Sequence, residues 1–317
     1  MKLIVSHLDA LRTYVSRELY FIQQELITTH GWKHIECDRL WFGAGTLENK
    51  LRNAVGTLPD VVLFWEAYEL LYQHAFDIQR LKSRKVFFAD DLHWWDRRMR
   101  EMKVLSFAVS DLVLSTYAYC WHKLYPELSF KSVEWVPHSA SSDFMLSYND
   151  EPENAIFLSG AINEAYPLRR QMLKLHREGS YAIKYHPHPG YYCGYDYQAD
   201  ARVGRGFAQM INRCRVGFAD SVFPYGYVVA KFFEIPATGA LLLADEAVST
   251  QLAALGFVAG EHYVPVSLKN LEERVAYVLD ENNREELDRV RRYGQDLIHK
   301  RHKTSDRAKQ INELLLR

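Results

Sequence analysis

The 317-residue sequence predicts an α/β chain of two units, each an open parallel sheet with helices on both faces. Three observations carry this. Short apolar runs alternate with helix-length stretches along nearly the whole chain. The runs are continuous rather than alternating, as in parallel strands covered on both sides. The alternation breaks once, at 137–153 (PHSASSDFMLSYNDEPE), a stretch rich in Ser, Asp, Asn and Pro, and then restarts. The two units are therefore expected at 1–148 and 149–317, with a cleft between them. In open parallel sheets ligands sit beyond the carboxyl ends of the strands.

The elements follow in order. Residues 2–5 (KLIV) read as a buried strand, and 9–29 as a helix, with Leu11, Val15, Leu19, Ile22 and Leu26 at helical spacing and Gly31 beyond its end. Strands are expected at 60–65 (DVVLFW), 85–89 (KVFFA), 111–115 (DLVLS) and 132–136 (SVEWV). After the connector come strands at 155–158, 181–185, 215–219, 240–244 and 262–266. Helices are expected to start near Pro167 and to span about 204–213, 226–238, 248–255 and 268–280. Proline suits a first helical turn. Two charged amphipathic helices fill 283–317.

Hydrophobic residues make up 48% and charged residues 25%, an ordinary globular balance, and the net charge is −1. No global basicity draws the chain to nucleic acid or anionic membrane. Cys37, Cys120, Cys193 and Cys214 are scattered, without a C-x-x-C pair, which fits a reducing compartment. The opening MKLIVSHLDALR is too short an apolar run for a signal core or a membrane span. A soluble, cytoplasmic protein is expected; the sequence is silent on its oligomeric state.

Four constellations sit at strand ends. In FLSGAINEAYPLRR (157–170) a strand ends in Ser159-Gly160 and a helix follows. Small residues admit close backbone approach, a helix start offers free N–H groups, and Arg169 and Arg170 add cations. An ordinary strand–helix turn explains them equally well. In KYHPHPGY (184–191), Lys184, His186 and His188 accompany two prolines and a glycine. A phosphate or sugar loop, a metal site and a rigid turn all remain open, although no third metal ligand stands at suitable spacing. In SVFPYGYVVAKFFEIPATGALLLADE (221–246), Glu234 lies late in a mostly apolar helix. There a carboxylate needs a partner. The two vicinal hydroxyls of a ribose would serve, as would a salt bridge to Lys231. In VFFADDLHWWDRR (86–98), Asp90, Asp91 and His93 suit a general base or an acceptor-hydroxyl ligand; a helix cap or a metal site is the alternative. His7 and His138 are further candidates.

The segments KFFEIPATGALLLADE, LAALGFVAGEHYVPV and LEERVAYVLDENNREELDRVRRYGQDLIHKRHKTSDRAKQI, with SGAINEAYPLR and KYHPHPGY, resemble the C-terminal donor domain of GT-B glycosyltransferases. The likeness is to the group-1-like branch that includes the CgeB spore-maturation proteins. It covers about 155–317 well and the remainder by general layout. It implies two Rossmann-like domains facing a cleft, with the C-terminal helices crossing back to the N-terminal domain. It implies a metal-independent, hexosyltransferase-like enzyme with no cofactor. The sugar would move from a nucleotide-sugar donor, UDP- or GDP-linked, to an acceptor hydroxyl on a glycan, protein or modified nucleobase. Glu234 then matches the ribose-holding glutamate and Gly239 the turn glycine after it. Ser159, Gly160 and Lys184 fall at the donor phosphates, with Arg169, His186, His188 and Lys231 beside them. Many relatives carry a glutamate where this chain has Gly226. Tyr225, Gly226 and Tyr227 would line the sugar pocket instead, through backbone N–H and hydroxyl groups. That departure keeps two further readings open: a nucleotide-sugar epimerase, or a non-catalytic sugar-binding or structural relative.

Overall fold

A computed structural model describes residues 1–41 and 45–316. Its strands are β1 (Lys2–Ser6), β2 (Lys33–Glu36), β3 (Val61–Trp65), β4 (Arg84–Ala89), β5 (Leu112–Ser115) and β6 (Val133–Trp135), then β7 (Glu153–Gly160), β8 (Ile183–Pro187), β9 (Cys214–Ala219), β10 (Leu241–Asp245) and β11 (Val264–Val266). They form a six-stranded sheet in the order β2-β1-β3-β4-β5-β6 and a five-stranded sheet in the order β11-β10-β9-β7-β8. Every strand pairing within the sheets is parallel. Read from its other edge, the second sheet repeats the winding of the first: second strand, first, third, fourth, fifth. In each, the order reverses between the first and third strands, where open α/β sheets place ligands.

Residues Met1–Arg12, Leu19–Pro137 and Arg307 onward make one compact unit; Thr13–Glu18 and His138–Asp306 make the other. In the first unit, Ile4, Leu63, Val86, Phe88 and Leu114 fill the sheet face, and Ile22, Leu26 and Trp32 pack on it. Ala308, Ile311 and Leu315 join this core, so the end of the chain returns to the N-terminal unit, as the resemblance implies. In the second unit, Ile156, Leu158, Val216, Phe218, Leu241 and Leu243 pack with Leu168 and Met172 and with Val275 and Val278.

Three elements differ from expectation. β2 (KHIE) has one apolar residue, and an edge strand with so little to bury leaves no continuous apolar run. The helix expected at 9–29 is two, Leu8–Arg12 and Glu18–Thr28. Between them the carbonyl of Thr13 accepts the N–H groups of Gly194 and Tyr195, so the backbone is used across the fold rather than along a helix. The helix expected at 226–238 is confined to Lys231–Ala237. Ahead of it the N–H groups of Tyr225 and Gly226 both donate to the carbonyl of Val222, and Gly226 adopts φ +68°.

The helix Lys231–Ala237 lies directly on β9. A Cβ at Gly217 would stand 2.6 Å from Cγ2 of Ile235. Gly217→Ala is therefore expected to destabilise the second unit by about 1–3 kcal/mol through overpacking. Adding Ile235→Ala should make the pair less damaging than the sum of the two single changes. Urea midpoints of the four proteins in this cycle check it.

Candidate functional site

The second unit gathers its chemistry at the carboxyl ends of β7, β8 and β9. β7 ends in Ser159 and Gly160, the latter at φ +108°, and a Cβ there would meet the Arg169 guanidinium at 2.6 Å. Arg169 opens the helix Pro167–Glu178 and is buried under this glycine. Its Nη2 lies 2.6 Å from Oδ1 of Asp220, its Nη1 donates to the carbonyl of Ala161 at 2.8 Å, and its backbone N–H donates to Oδ2 of Asp220 at 3.0 Å. Burial holds the Asp220 carboxyl up, at about 6, against the opposing pull of Arg169. Ser159 is buried in the strand, its Cα in register with His186.

The residues of 184–191 part company. Lys184 pairs with Glu153, the first residue of β7. Its charge also acts on Cys214, which opens β9. Lys184, expected at the donor phosphates, thus points to the amino ends of the strands, away from Gly160. His186 stacks on Phe157 at 4.7 Å. His188 faces the site: burial and the cations Lys231 and Arg169 drop its pKa to about 4. Its Nδ1 accepts the Gly190 N–H at 3.0 Å, so the neutral ring carries its proton on Nε2.

Glu234 is 7% exposed, and among the described residues its carboxylate receives no hydrogen bond and lies within 4.0 Å of no cation. The alternative of a salt bridge to Lys231 does not form. Burial pushes Glu234 up to about 7, Lys231 pulls it down, and Glu18 and Asp143 push it further up. Lys231 stands 5.1 Å from the Phe207 ring, and burial lowers its pKa. Close by, His138 Nδ1 is 2.7 Å from Oε2 of Glu18, and Ser139 donates its hydroxyl to Oε1 at 2.8 Å. The sequence reading did not single out Glu18, whose partners lie about 120 residues away. The Tyr225 ring stacks on that of Tyr227 at 5.3 Å. The N–H groups of Tyr225 and Gly226, expected to line a sugar pocket, are held by Val222 as described above.

The first unit has a cavity of about 330 Å³ past the ends of β1, β3 and β4. Asp91, His93 and His7 line it, as expected of strand-end residues. Asp90 does not face it as a base. Its carboxylate and carbonyl accept the Thr116 hydroxyl at 2.7 and 2.9 Å. The carboxylate most deeply set here is Glu66, which sequence reasoning missed because it follows an apolar strand without any flanking motif. Glu66 has φ +53°, strained for a residue with a side chain. Its Oε1 accepts the Tyr68 hydroxyl at 3.0 Å and the Asp90 N–H at 2.9 Å. Burial raises its pKa to about 7, with Lys103 opposing and Asp90 assisting. Lys103 donates to the carbonyl of Asp91. Among the described residues no three His, Cys, Asp or Glu side chains are grouped to hold a metal ion. Nor is any helix long and apolar enough to cross a membrane.

Glu66 and Glu234 bind a proton more tightly in the folded chain than in the unfolded one, where each titrates near 4.5. Between about pH 4.5 and 7 the native state holds protons that the unfolded state has released. Stability should therefore fall as pH rises through this window. Glu234→Gln is expected to remove on the order of 1–3 kcal/mol of that fall. Urea unfolding at a series of pH values checks it.

Residues 169–313 match the family described as glycosyl transferase-like. No curated protein sequence matches the chain. Among solved structures, the chain is similar to HepE of Anabaena in complex with UDP and glucose, at 11% identity and TM-score 0.64, covering 99% of each chain. It is similar to an alpha-glucosyltransferase in complex with UDP and a 13-mer DNA containing an HMU base, at 11% identity and TM-score 0.64, covering 100% of each. It is also similar to the pneumococcal O-GlcNAc transferase GtfA in complex with UDP and GlcNAc, at 10% identity and TM-score 0.52, covering 88% of this chain and 62% of that one. At such identities these likenesses speak for the fold, which is GT-B, with its two parallel sheets of like winding. The chain thus has the GT-B fold along its length and carries a glycosyl transferase-like segment over most of its second unit.

Proposed function

We propose that the chain transfers a sugar from a UDP-linked donor held on its second unit to an acceptor hydroxyl, without a metal ion. One observation carries this: Glu234 is a buried carboxylate with no hydrogen-bonding partner among the described residues. Such a group is expensive to leave unmade. Two vicinal ribose hydroxyls would satisfy it. Lys231, three residues earlier, and the Nε2–H of His188 would meet the diphosphate and offset its charge as it leaves. Gly160 would let the backbone approach the phosphates. Arg169, fixed to Asp220, would shape this ground from beneath rather than touch the ligand. Lys184 has no part in it.

UDP is favoured over GDP because HepE, the alpha-glucosyltransferase and GtfA were each solved with UDP. The segments KFFEIPATGALLLADE and GFVAGEHYVPV support a place near the CgeB-like branch. The four cysteines are free, which supports a reducing, cytoplasmic setting. The acceptor would meet the first unit at the cavity lined by Asp91 and His93.

The test is thermal stability against UDP, GDP, ADP, TDP and CMP, with and without EDTA. A ligand at about 100 times its Kd stabilises by roughly 2.7 kcal/mol. UDP should shift the melt, indifferent to EDTA. Glu234→Ala should weaken UDP binding at least about tenfold, the loss of one well-placed charged hydrogen-bonding group. Lys184→Ala should leave it unchanged. Equal UDP affinity in Glu234→Ala and wild type would refute the donor assignment.

A further inference from the structure

The first-unit cavity carries more than a place for an acceptor. We infer that it binds a neutral saccharide and that Glu66 is the group that takes the proton from the reacting hydroxyl, an assignment that rests on the transferase reading above.

The geometry of Glu66 is that of an anchored base. Oε1 is held by two donors from different elements, the Tyr68 hydroxyl and the Asp90 N–H. Among the described residues Oε2 receives no hydrogen bond, and the residue lines the cavity. One oxygen is fixed and the other is left for an incoming O–H. The left-handed backbone at φ +53° is what turns the side chain out of β3 at the point where the sheet order reverses. Strain retained at a non-glycine residue in such a place points to a use.

The lining selects the class of acceptor. Trp41 and Trp95 bring indole rings, the latter 77% exposed at the rim. Such rings suit the apolar C–H face of a pyranose. Glu66, Glu69 and Asp91 bring carboxylates that accept from hydroxyls, and with Lys103 as the cation beside them the three acids leave the lining net negative, unfavourable to phosphate. The amine of Lys103 donates to the carbonyl of Asp91. About 330 Å³ is at the lower end of small-molecule sites, enough for a sugar ring and too little for an extended polymer. A polyanionic acceptor such as DNA meets the wrong charge here.

The step balances simply. The acceptor oxygen bonds to the anomeric carbon. The bond from that carbon to the phosphate oxygen breaks, and its electron pair leaves with the nucleoside diphosphate. The hydroxyl proton passes to Oε2 of Glu66.

Saturation-transfer NMR of the full chain with UDP, against methyl glucosides, galactosides and N-acetylglucosaminides, tests the binding. Turnover of UDP-glucose and UDP-N-acetylglucosamine with whichever glycoside binds tests the chemistry. At least one glycoside should bind the wild type. Glu66→Gln keeps the shape of the carboxylate, so it should keep UDP binding and hold the glycoside within about threefold, yet lower transfer on the order of 100-fold or more, as loss of a general base does. No glycoside binding by a chain that binds UDP would overturn the proposal. So would binding of a 13-mer DNA in its place, no transfer by the wild type, or a fall of less than tenfold in Glu66→Gln. Loss of the UDP shift in the wild type would instead strike the donor reading on which this one rests.

Discussion

The buried pair of Arg169 and Asp220 is the constraint on which the second unit's site depends. Asp220 follows the last residue of β9, and Arg169 stands in the first turn of the helix that follows β7. Their contact ties together the two strands between which the sheet order reverses. An ion pair this deep gives little net stability, because desolvation offsets much of the attraction. What it supplies is position. With the guanidinium held below, Gly160 has to remain a glycine and the loop after β7 has one course.

Around that anchor, charge is distributed unevenly. Arg169 is neutralised in place, while, among the described residues, Lys231 forms no ion pair and lies over the Phe207 ring, and Glu234 has no hydrogen bond. A half-buried cation and a buried carboxylate thus stand three residues apart without pairing. On the donor reading proposed above, a diphosphate would meet the one and a ribose the other. On the acceptor reading proposed above, the first unit would use its own switch point in a different chemistry. There one carboxylate, Glu66, is held by one oxygen over a cavity that Glu69, Asp91, His7, His93 and Lys103 also line.

The two sheets repeat one winding order although the sequence shows no internal repeat. Continuous apolar runs, glycines at strand ends and a proline opening a helix were enough to read nearly every strand within two residues. Misreadings fell where contacts distant in sequence decide the local backbone. Thr13 lies in a helix-like stretch but bonds to Gly194 and Tyr195. Val222 collects two N–H groups and keeps the next helix from starting at Gly226. β2 carries too few apolar residues to announce itself.

For the site, the sequence by itself determined which residue types stand at strand ends and in the helix after β9: Gly160, His188, Asp91 and His93 at the first, Lys231 and Glu234 in the second. A cation at a strand end and a carboxylate in an apolar helix are conspicuous because burial makes them expensive. Only the tertiary structure decided which of them are already partnered. Lys184 and Arg169 look alike as phosphate ligands until Glu153 and Asp220 take them, and Asp90 looks like a base until Thr116 binds it. Glu66 stays hidden in the sequence, since no motif beside it marks it, until folding brings Asp90 and Lys103 around its carboxylate. Hydrogen bonds and charge pairing act over a few ångströms, and across 20 to 60 residues of chain only the fold says which groups come that close.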